Sequence, residues 1–571
     1  MTSKELRQKF LGFFEKRGHK VVPSSSLIPA DPSVLFTTAG MQQFKEYFLG
    51  KESPYGKRVC SCQKCFRTSD IEEVGDIKHL TFLEMLGNFS FGGYFKDEAI
   101  KLAYEFLISN FQFPISKMMV TVFGGDGGVP RDEESVKIWA KLGFSEKKGN
   151  LKFCGREDNF WGPTGEEGPC GPTTEIHYNG VEVWNLVFNE YYQDKNGKLT
   201  PLKQKGVDTG MGLERLAMVV QGKPNVYETD LFSPLIEEIR NSKFEIRNLS
   251  ERSARIIADH IKSTVFLTSE DILPSNVERG YILRRILRRA IRFGKLLNLP
   301  KNFLIPLAQK VIEIYKDVYP EVKSKEADTL TIIQNEEEKF EKTLDRGLKE
   351  FDKILSSVIG QRSSVISGID AFHLFDTYGF PLELTEELAK EKKIEVDVKG
   401  FKEAFEKHRE ISKAGVEKKF GGIGKNATRE ATRLHTATHL LHAALRKILG
   451  EHVRQMGSDI TPQRLRFDFS HPRKMAEAEI KEVENLVNQK IKENLEVKKE
   501  EMSYQEALKS GALAFFKEKY PERVTVYSID NFSKEICAGP HVKRTSELGH
   551  FKIIKEESSG SGIRRIRAIL K

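Results

Sequence analysis

Two arginines, Arg67 and Arg215, lie in runs of residues that are suited to holding phosphate groups. Residues 65–68 read Cys-Phe-Arg-Thr, and residues 207–216 carry two glycines shortly before Arg215. A guanidinium stays charged and grips phosphate oxygens through paired N–H donors. A lone arginine more often forms a surface ion pair, and the second run lacks the third glycine of a dinucleotide-binding turn. The pair therefore indicates phosphate chemistry only if other residues support it.

A second group of residues has the types and spacing of a metal site. His435 and His439 share one face of a predicted helix, and Cys537 and His541 recur with the same separation. One His-x-x-x-His pair alone is more often a core or surface pair. With the Cys-x-x-x-His partner a zinc site is favoured, since thiolate and imidazole are usual zinc ligands. The thiols within residues 60–65 are an alternative set, but they lack a fourth ligand and abut a predicted strand.

A basic helix is predicted over residues 278–297. Its cationic side chains fall within an arc of about 140° on a helical wheel, and apolar residues occupy the opposite side. Such a helix would pack on a core and present a cationic stripe to nucleic-acid phosphate. The alternative is a basic face that is merely solvated. The stripe consists of Arg284, Arg285, Arg288, Arg289, Arg292 and Lys295.

The elements that must position these residues differ along the chain. Apolar spacing predicts a first helix that ends at Gly18, and residues 181–188 read as a mostly buried strand. Residues 326–356 predict one long helix with a single buried stripe. The glycine-rich residues 421–426 are the best linker candidate. These patterns predict an α+β chain with domains at 1–228, 229–415 and 427–571.

The composition excludes several classes of protein. The chain has 571 residues, a formal net charge of +9 and 39% hydrophobic residues, which are ordinary values for a folded protein of several domains. Six cysteines in so long a chain are no disulfide framework, which favours a reducing compartment. The first residues lack an apolar signal core, and no run of about 18 uncharged apolar residues occurs. We therefore expect a cytoplasmic protein with no membrane partner.

Several runs of residues together resemble a known family. Residues 65–68 and 79–91 resemble motif 2 of the class II aminoacyl-tRNA synthetases, and residues 207–216 resemble motif 3. Residues 159–161, 168–172 and 184–188 lie between them in the order of the alanyl-tRNA synthetase family. The resemblance implies a class II fold, with an antiparallel sheet flanked by helices, a helical tRNA-recognition domain and a small α+β editing domain.

The resemblance also implies roles for individual residues. Arg67 would hold the α-phosphate of ATP and the substrate carboxylate, and Arg215 would hold the γ-phosphate of ATP, which binds with Mg²⁺. Asp208 would bind the ammonium group of alanine. The other implied ATP ligands are His79, Glu84, Gly212 and Phe91, which would stack on adenine. The other implied alanine ligands are Trp161, Asn185 and Gly210.

Parts of the remaining chain resemble the family's tRNA-recognition domain. Residues 258–260 and 274–281 precede or open the basic helix, and residues 375–381 follow it. By this resemblance Asn276 and Asp376 would read a G·U pair near the end of the acceptor stem. The arginines of the basic helix would position the RNA backbone without reading sequence.

The segment with the predicted zinc ligands resembles the editing domain that alanyl- and threonyl-tRNA synthetases share. Editing has a physical reason, because a pocket for alanine distinguishes glycine by one methyl group, worth only about 1–3 kcal/mol, and excludes serine poorly. The bound Zn²⁺ would orient tRNA or water, since four protein ligands fill a tetrahedron. The chain departs from the family in lacking a β-barrel before the His-x-x-x-His helix and a dimerising C-terminal domain, which predicts a monomer.

The resemblance therefore implies ligation of alanine to tRNA(Ala), with ATP consumed to form alanyl-adenylate and with hydrolysis of mischarged seryl- and glycyl-tRNA(Ala). One alternative is a tRNA deacylase without synthetic activity. Another is a non-catalytic RNA-binding regulator. Alanine-dependent pyrophosphate exchange distinguishes the ligase from both alternatives.

Overall fold

The computed structural model describes residues 1–241, 250–360, 363–408, 428–514, 522–560 and 562–571. Its contacts divide the chain into two units. The first unit comprises Met1–Ile272 and Asn276–Glu326, and the second comprises Leu273–Ser275 and Ala327–Lys571. The three domain ranges expected from the sequence stay a prediction.

One sheet forms the framework of the first unit. Among the described residues its strand order is β1-β2-β3-β9-β8-β7-β4-β5, and β6 pairs with β7. The β1–β2 and β4–β5 pairs are parallel and the other pairs are antiparallel, so the sheet is mixed but mainly antiparallel, which confirms the expected class II fold. The strands are β1 Lys20–Val21, β2 Arg58–Phe66, β3 Phe82–Phe91, β4 Met118–Phe123, β5 Leu151–Cys154, β6 Phe160–Trp161, β7 Gly168–Tyr178, β8 Val181–Gln193 and β9 Leu199–Gly212.

Helices flank this sheet, as the resemblance implies. The first helix starts with a capping box between Thr2 and Glu5 and ends at Glu15, one turn before the expected stop at Gly18. The helices of the first unit are α1 Ser3–Glu15, α2 Lys45–Phe48, α3 Lys96–Phe111, α4 Glu133–Lys141, α5 Arg156–Asn159, α6 Leu213–Val220, α7 Ser233–Asn241, α8 Glu251–Ser269, α9 Glu278–Leu296, α10 Leu304–Tyr315 and α11 Pro320–Ser324.

Aromatic side chains pack α1 and α3 against β8. The Trp184 ring on β8 lies 5.8 Å from the ring of Phe10, 6.3 Å from that of Phe14 and 5.6 Å from that of Phe106, measured between ring centroids. All of these side chains are fully buried. One face of β8 is therefore committed to the core, and the predicted strand over residues 181–188 is confirmed.

A long helix opens the second unit. Helix α12, Glu326–Gly360, confirms the prediction for residues 326–356, and its buried stripe includes Ile333, Phe340, Leu344 and Phe351. The elements that follow are β10 Val365–Ile366, α13 Gly368–Tyr378, α14 Leu382–Glu391 and β11 Glu395–Val396. The predicted linker at 421–426 lies outside the described residues.

The end of the second unit contains small sheets and helices, in agreement with the expected α+β organisation. One antiparallel sheet has the order β12-β13-β18-β17, and another has the order β14-β15-β16. No helix within the described ranges is long and apolar enough to cross a membrane. The elements are α15 Arg429–Leu449, β12 Gln455–Thr461, β13 Arg464–Ser470, α16 Glu477–Lys492, β14 Val497–Ser503, α17 Tyr504–Lys509, β15 Arg523–Ile529, β16 Ser533–Ile536, β17 Phe551–Gly560 and β18 Ile563–Leu570.

The aromatic cluster on α1 should carry much of the stability of the first unit. We expect Phe10→Ala to lower the free energy of unfolding by about 3–5 kcal/mol, because it leaves a cavity beside Trp184. Tryptophan fluorescence during urea unfolding measures this, since all three tryptophans (139, 161 and 184) lie in the first unit. Gln8→Ala, at an exposed position of the same helix, is the control. Equal losses for both variants would contradict the role of the cluster.

Candidate functional site

The face of the sheet opposite the Trp184 cluster carries the residues with candidate chemistry. Strand pairing sets Asn185 on β8 beside Gly210 on β9, and Val187 beside Asp208. Met85 on β3 pairs with Gly212 on β9. Because side chains alternate along a strand, these residues share one face. The register therefore brings three separate parts of the chain to one place.

These strands form the floor of a cavity of about 190 Å³. Eight of the predicted ligands of ATP and alanine line it. They are Arg67, His79, Trp161, Asn185, Asp208, Gly210, Gly212 and Arg215. The two arginines that are far apart in the sequence therefore face a shared space.

Each arginine is held at the edge of this cavity by a different contact. Arg67 follows β2 directly, and its Nε donates to the carbonyl oxygen of Thr38 at 3.3 Å. Arg215 lies in the first turn of α6 and forms an ion pair with Glu182, with 2.6 Å between the guanidinium nitrogen and the carboxylate oxygen. Both guanidinium groups thus lie close to the ends of strands, where a bound anion can reach them.

The loop between β2 and β3 supplies another wall of the cavity. It spans residues 67–81 and is called the β2–β3 loop here. Within it, Asp76 accepts a hydrogen bond from the backbone N–H of His79 at 2.8 Å, and its other oxygen lies 2.6 Å from His79 Nδ1. The imidazole is therefore oriented by its own loop before any ligand binds.

Asp208 is one of two buried acidic residues among the described residues that line this cavity, and Glu214 is the other. The Asp208 side chain lies on β9 and only 5% of the residue is exposed. Burial raises the pKa of its carboxyl from 3.8 to about 7. A ligand with a positive charge would favour the ionised form, so the site has a physical preference for a cation at this point.

Two predicted ATP ligands, Glu84 and Phe91, do not line the cavity. Glu84 is fully buried on the other face of β3 from Met85, where it accepts hydrogen bonds from Arg7 at 2.7 Å and Tyr319 at 2.8 Å. Phe91 lies at the far end of β3 and packs against Phe48, with 5.0 Å between ring centroids. Stacking of Phe91 on adenine is therefore incompatible with its place in the core.

The other residues of the cavity wall were not identified from the sequence. The apolar ones on β3 and β8 follow the two-residue alternation of those strands, which would have identified them once the site strands were known. Ala39 and Leu80 lie outside strands and carry no such signal. The charged ones lie in the β2–β3 loop or next to Arg215. The missed residues are Ala39, Leu80, Leu83, Met85, Val183, Val187, Asp70, Lys78, Glu182 and Glu214.

The expected cationic stripe on α9 is not exposed. Arg284, Arg288, Arg289 and Arg292 are each less than a tenth exposed, and only Lys295 is classed as exposed. The prediction of an open RNA-binding face is therefore wrong for these arginines. The helical period correctly identified the polar side of α9, but it carries no information on what packs against that side.

The two residues expected to read the acceptor stem are exposed. Asn276, just before α9, accepts a hydrogen bond from Arg284. Asp376 lies on α13, and its carboxylate is 3.9 Å from His408 Nε2. They belong to different units, so their joint action on one base pair stays a prediction.

The four predicted metal ligands form one cluster. The candidate ligand atoms of His435, His439, Cys537 and His541 all lie within 4.8 Å of one another. The histidines at 435 and 439 lie on α15, and Cys537 and His541 follow β16. A side chain at Gly539 would place its Cβ 2.3 Å from the His435 ring, so glycine allows this loop to close on the helix. This is the one cluster of its kind that the described part of the chain contains.

Each imidazole of the cluster is oriented through its Nδ1 atom. His435 Nδ1 lies 3.1 Å from the carbonyl oxygen of Pro540, and His541 Nδ1 lies 3.1 Å from the Thr436 hydroxyl. His439 Nδ1 lies 3.3 Å from a carboxylate oxygen of Glu535. Contacts of this kind at Nδ1 favour the tautomer that leaves the lone pair of Nε2 to a metal.

The electrostatics of the cluster fit a cation. Burial would raise the pKa of the Cys537 thiol, but its contacts with three histidines outweigh this and lower the pKa to about 2. His541 Nε2 is buried and has no hydrogen-bond partner among the described residues. A thiolate and oriented lone pairs are the donor set that zinc prefers. By contrast, burial raises the pKa of Cys60 to about 12, which disfavours the alternative thiolate site.

Family comparisons agree with this geometry. Residues 5–456 match the family model described as "tRNA synthetases class II (A)", and residues 524–567 match "Threonyl and Alanyl tRNA synthetase second additional domain". The fold and the cavity therefore belong to a class II tRNA synthetase.

The relatives specify the family further. The chain is 50% identical to the alanine–tRNA ligase of Borrelia hermsii, covering all of both chains, and 47% identical to that of Treponema pallidum, covering 99% of this chain and 98% of the relative. It is 42% identical to the longer alanine–tRNA ligase of Thermotoga maritima, of which it covers 80%. The chain belongs to the alanine–tRNA ligase family.

The buried carboxyl of Asp208 should destabilise the first unit at neutral and alkaline pH. Because its folded-state pKa is raised, the folded protein holds a proton that the unfolded chain releases from about pH 4 upward, and stability falls until pH reaches about 7. We expect Asp208→Asn to remove this penalty, which is roughly 4 kcal/mol at its plateau. Urea unfolding followed by tryptophan fluorescence at several pH values measures it.

The advantage of Asp208→Asn over the wild type should grow between about pH 4 and pH 7 and then level off. Asp317→Asn, which changes an exposed carboxylate on the same unit, is the control. An advantage of Asp208→Asn that is constant with pH would contradict the raised pKa.

Proposed function

We propose that the cavity activates alanine with Mg²⁺-bound ATP and that the resulting alanyl-adenylate is used to charge tRNA(Ala). The observation that carries the proposal is the meeting of Arg67, Arg215 and the buried Asp208 at one cavity. Attack of the carboxylate on the α-phosphate breaks the bond from the α-phosphorus to the oxygen that bridges it to the β-phosphate, and pyrophosphate leaves. The negative charge that gathers in this step is stabilised by fixed guanidinium groups. A buried carboxylate next to them suits an amino-acid ammonium group.

The roles follow from the charges around the cavity. Asp208 accepts the ammonium of alanine, and Arg67 contacts both the carboxylate and the α-phosphate. Arg215 exchanges its ion pair with Glu182 for the γ-phosphate, so that the guanidinium stays paired before and after ATP binds. Mg²⁺ enters with ATP and neutralises charge on the phosphates.

The walls of the cavity suit a small side chain. Val183, Val187 and Trp161 supply apolar surface near Asn185 and Asp208. Such a surface excludes larger amino acids by volume, but it discriminates alanine from glycine and serine only weakly. The proposal therefore includes a second, hydrolytic site for mischarged tRNA.

The arginine pair can be tested without tRNA. We expect Arg67→Ala and Arg215→Ala each to reduce alanine-dependent exchange of pyrophosphate into ATP by about 10²–10³-fold, because each removes a fixed donor to the transition-state charge. Arg156→Ala, which removes an exposed arginine paired with Asp126, is the control and should leave the exchange rate unchanged. Retained exchange in both cavity variants would refute the proposed site, and its absence from the wild type would favour a deacylase or a regulator.

We propose that tRNA recognition uses Asn276 and Asp376 and that the arginines of α9 have another role. The amide of Asn276 and the carboxylate of Asp376 are both exposed and suited to the edges of base pairs. A monomeric state and a cytoplasmic location remain expectations from the sequence.

We propose that His435, His439, Cys537 and His541 hold Zn²⁺ in an editing site. The four donors, the oriented imidazoles and the lowered thiol pKa support this assignment. When bound, Zn²⁺ would supply a fixed positive charge near the tRNA end or a water molecule. The residues of the chain contribute by holding the donors in place, with Glu535 and Thr436 behind two of the histidines.

The assignment of a zinc site predicts the metal content of the purified protein. We expect the purified chain to contain about one zinc per molecule and Cys537→Ala to lose most of it, because a single thiolate ligand disappears. Inductively coupled plasma mass spectrometry measures the metal, and hydrolysis of seryl-tRNA(Ala) measures the linked activity. Cys154→Ala, which removes a free cysteine of the first unit, is the matched control. Full zinc content in Cys537→Ala would refute the assignment.

A further inference from the structure

We propose that Arg285 and Arg289 on α9 are positioning residues for the ATP-binding β2–β3 loop. The proposal rests on the proposed function of the cavity, because this loop carries Arg67 and His79 to its wall. It assigns these arginines to the activation of alanine instead of to contacts with RNA phosphate.

A buried chain of side chains ties α9 to both ends of the loop. Arg289 donates to the carbonyl oxygen of Ile71 at 2.8 Å, and its guanidinium nitrogen lies 3.0 Å from His260 Nε2. His260 Nδ1 lies 2.9 Å from the carboxylate of Asp259. Asp259 accepts hydrogen bonds from the backbone N–H of Thr81 at 2.9 Å and from its hydroxyl at 2.5 Å. Ile71 lies near the start of the loop and Thr81 is its last residue.

In this series of hydrogen bonds each donor faces an acceptor. Arginine only donates and an ionised carboxylate only accepts, so a neutral His260 fits between them with its proton on Nδ1 and its lone pair on Nε2. Asp259 and His260 are fully buried, and Arg289 is 4% exposed. A buried charge of this kind is costly unless it is well paired, so removing one partner disturbs the others.

The series of hydrogen bonds that starts at Arg289 ends at Thr81, and Thr81 contacts the backbone of Arg67. The backbone N–H of Arg67 donates to the carbonyl oxygen of Thr81 at 2.8 Å. Asp259 holds the N–H and the hydroxyl of that same residue. A shift of Thr81 would therefore move the backbone that carries Arg67, which is the physical link between α9 and the cavity.

An ion pair provides a second contact between α9 and the loop, at the residue that follows Ile71. Arg285 donates through its guanidinium to the carboxylate of Glu72. Nearby, Gly75 has a φ of +116°, and a Cβ there would lie 2.8 Å from the side chain of Arg252 on α8. The loop thus lies close against α8 and is paired to α9, which reduces the conformational freedom that ATP would otherwise have to remove.

The contact between Arg285 and Glu72 offers a sharp test, because Glu72 is half-exposed and either partner of the pair can be changed separately. The Arg285 side chain is 13% exposed and that of Glu72 is 49% exposed. If the contact positions the loop, Arg285→Gln and Glu72→Gln should each raise the KM for ATP in alanine-dependent pyrophosphate exchange by about three- to tenfold. The affinity for tRNA(Ala), measured by filter binding, should stay at the wild-type value in both variants.

Charge reversal supplies a rescue that a general loss of stability would not show. The double variant with Arg285→Glu and Glu72→Arg should recover most of the ATP affinity that either reversal alone loses. Arg240→Gln breaks an exposed ion pair with Glu251 on α8 and is the matched control. Melting temperatures within a few degrees of the wild type would show that each variant is folded.

A contrary pattern would overturn the inference. If Arg285→Gln weakened tRNA binding while both single variants kept the wild-type KM for ATP, Arg285 would be an RNA contact. Arg289→Lys extends the test, since lysine keeps the charge but replaces the planar guanidinium, whose Nη1 contacts both Ile71 and His260, with an ammonium group on a shorter side chain. An unchanged KM for ATP in folded Arg289→Lys would also count against the inference. Absence of exchange in the wild type would instead refute the proposed function.

Discussion

The register of β3, β9 and β8 is the constraint on which the site depends. It places Met85, Gly212, Gly210, Asn185 and Asp208 on a single face, while the opposite face of β8 is committed to Trp184 and the aromatic cluster. A shift by one residue would exchange the two faces, because side chains alternate along a strand. The hydrophobic core therefore holds the residues of the cavity in place through the same strands.

Buried ion pairs lie behind the cavity and join its walls. Lys262 on α8 contacts Glu214 at 2.7 Å, and Glu214 accepts from the backbone N–H of Glu84 on β3 at 3.2 Å. Burying such charges costs free energy unless each is paired, and these are paired. Glu214 directly precedes Arg215, so the network connects the position of that arginine to α8 and to β3. The same helix α8 carries Asp259, which accepts a hydrogen bond from Thr81 at the end of the β2–β3 loop, and His260, which contacts Arg289.

The arginines of this chain illustrate how one residue type serves different ends. Arg215 faces a cavity and is paired with the carboxylate of Glu182. Arg7 is buried and forms a permanent pair with Glu84. Arg289 donates to the carbonyl oxygen of Ile71 in the β2–β3 loop and contacts His260. Charge alone predicts anion binding for all three, and only the partners of each guanidinium separate a ligand site from a structural contact.

The sequence by itself determined the elements and the set of chemical groups. Helix α1, strand β8 and helix α12 were predictable, because short-range spacing records which side of an element is apolar. The two cavity arginines were identified through the resemblance to the family's motifs, and the four metal-ligand candidates by their residue types and their paired spacing. The interior place of Glu84 and Phe91 and the burial of the α9 arginines were decided by tertiary structure alone. Local periodicity shows that a face is polar or apolar, but which element covers it depends on contacts between residues distant in the chain.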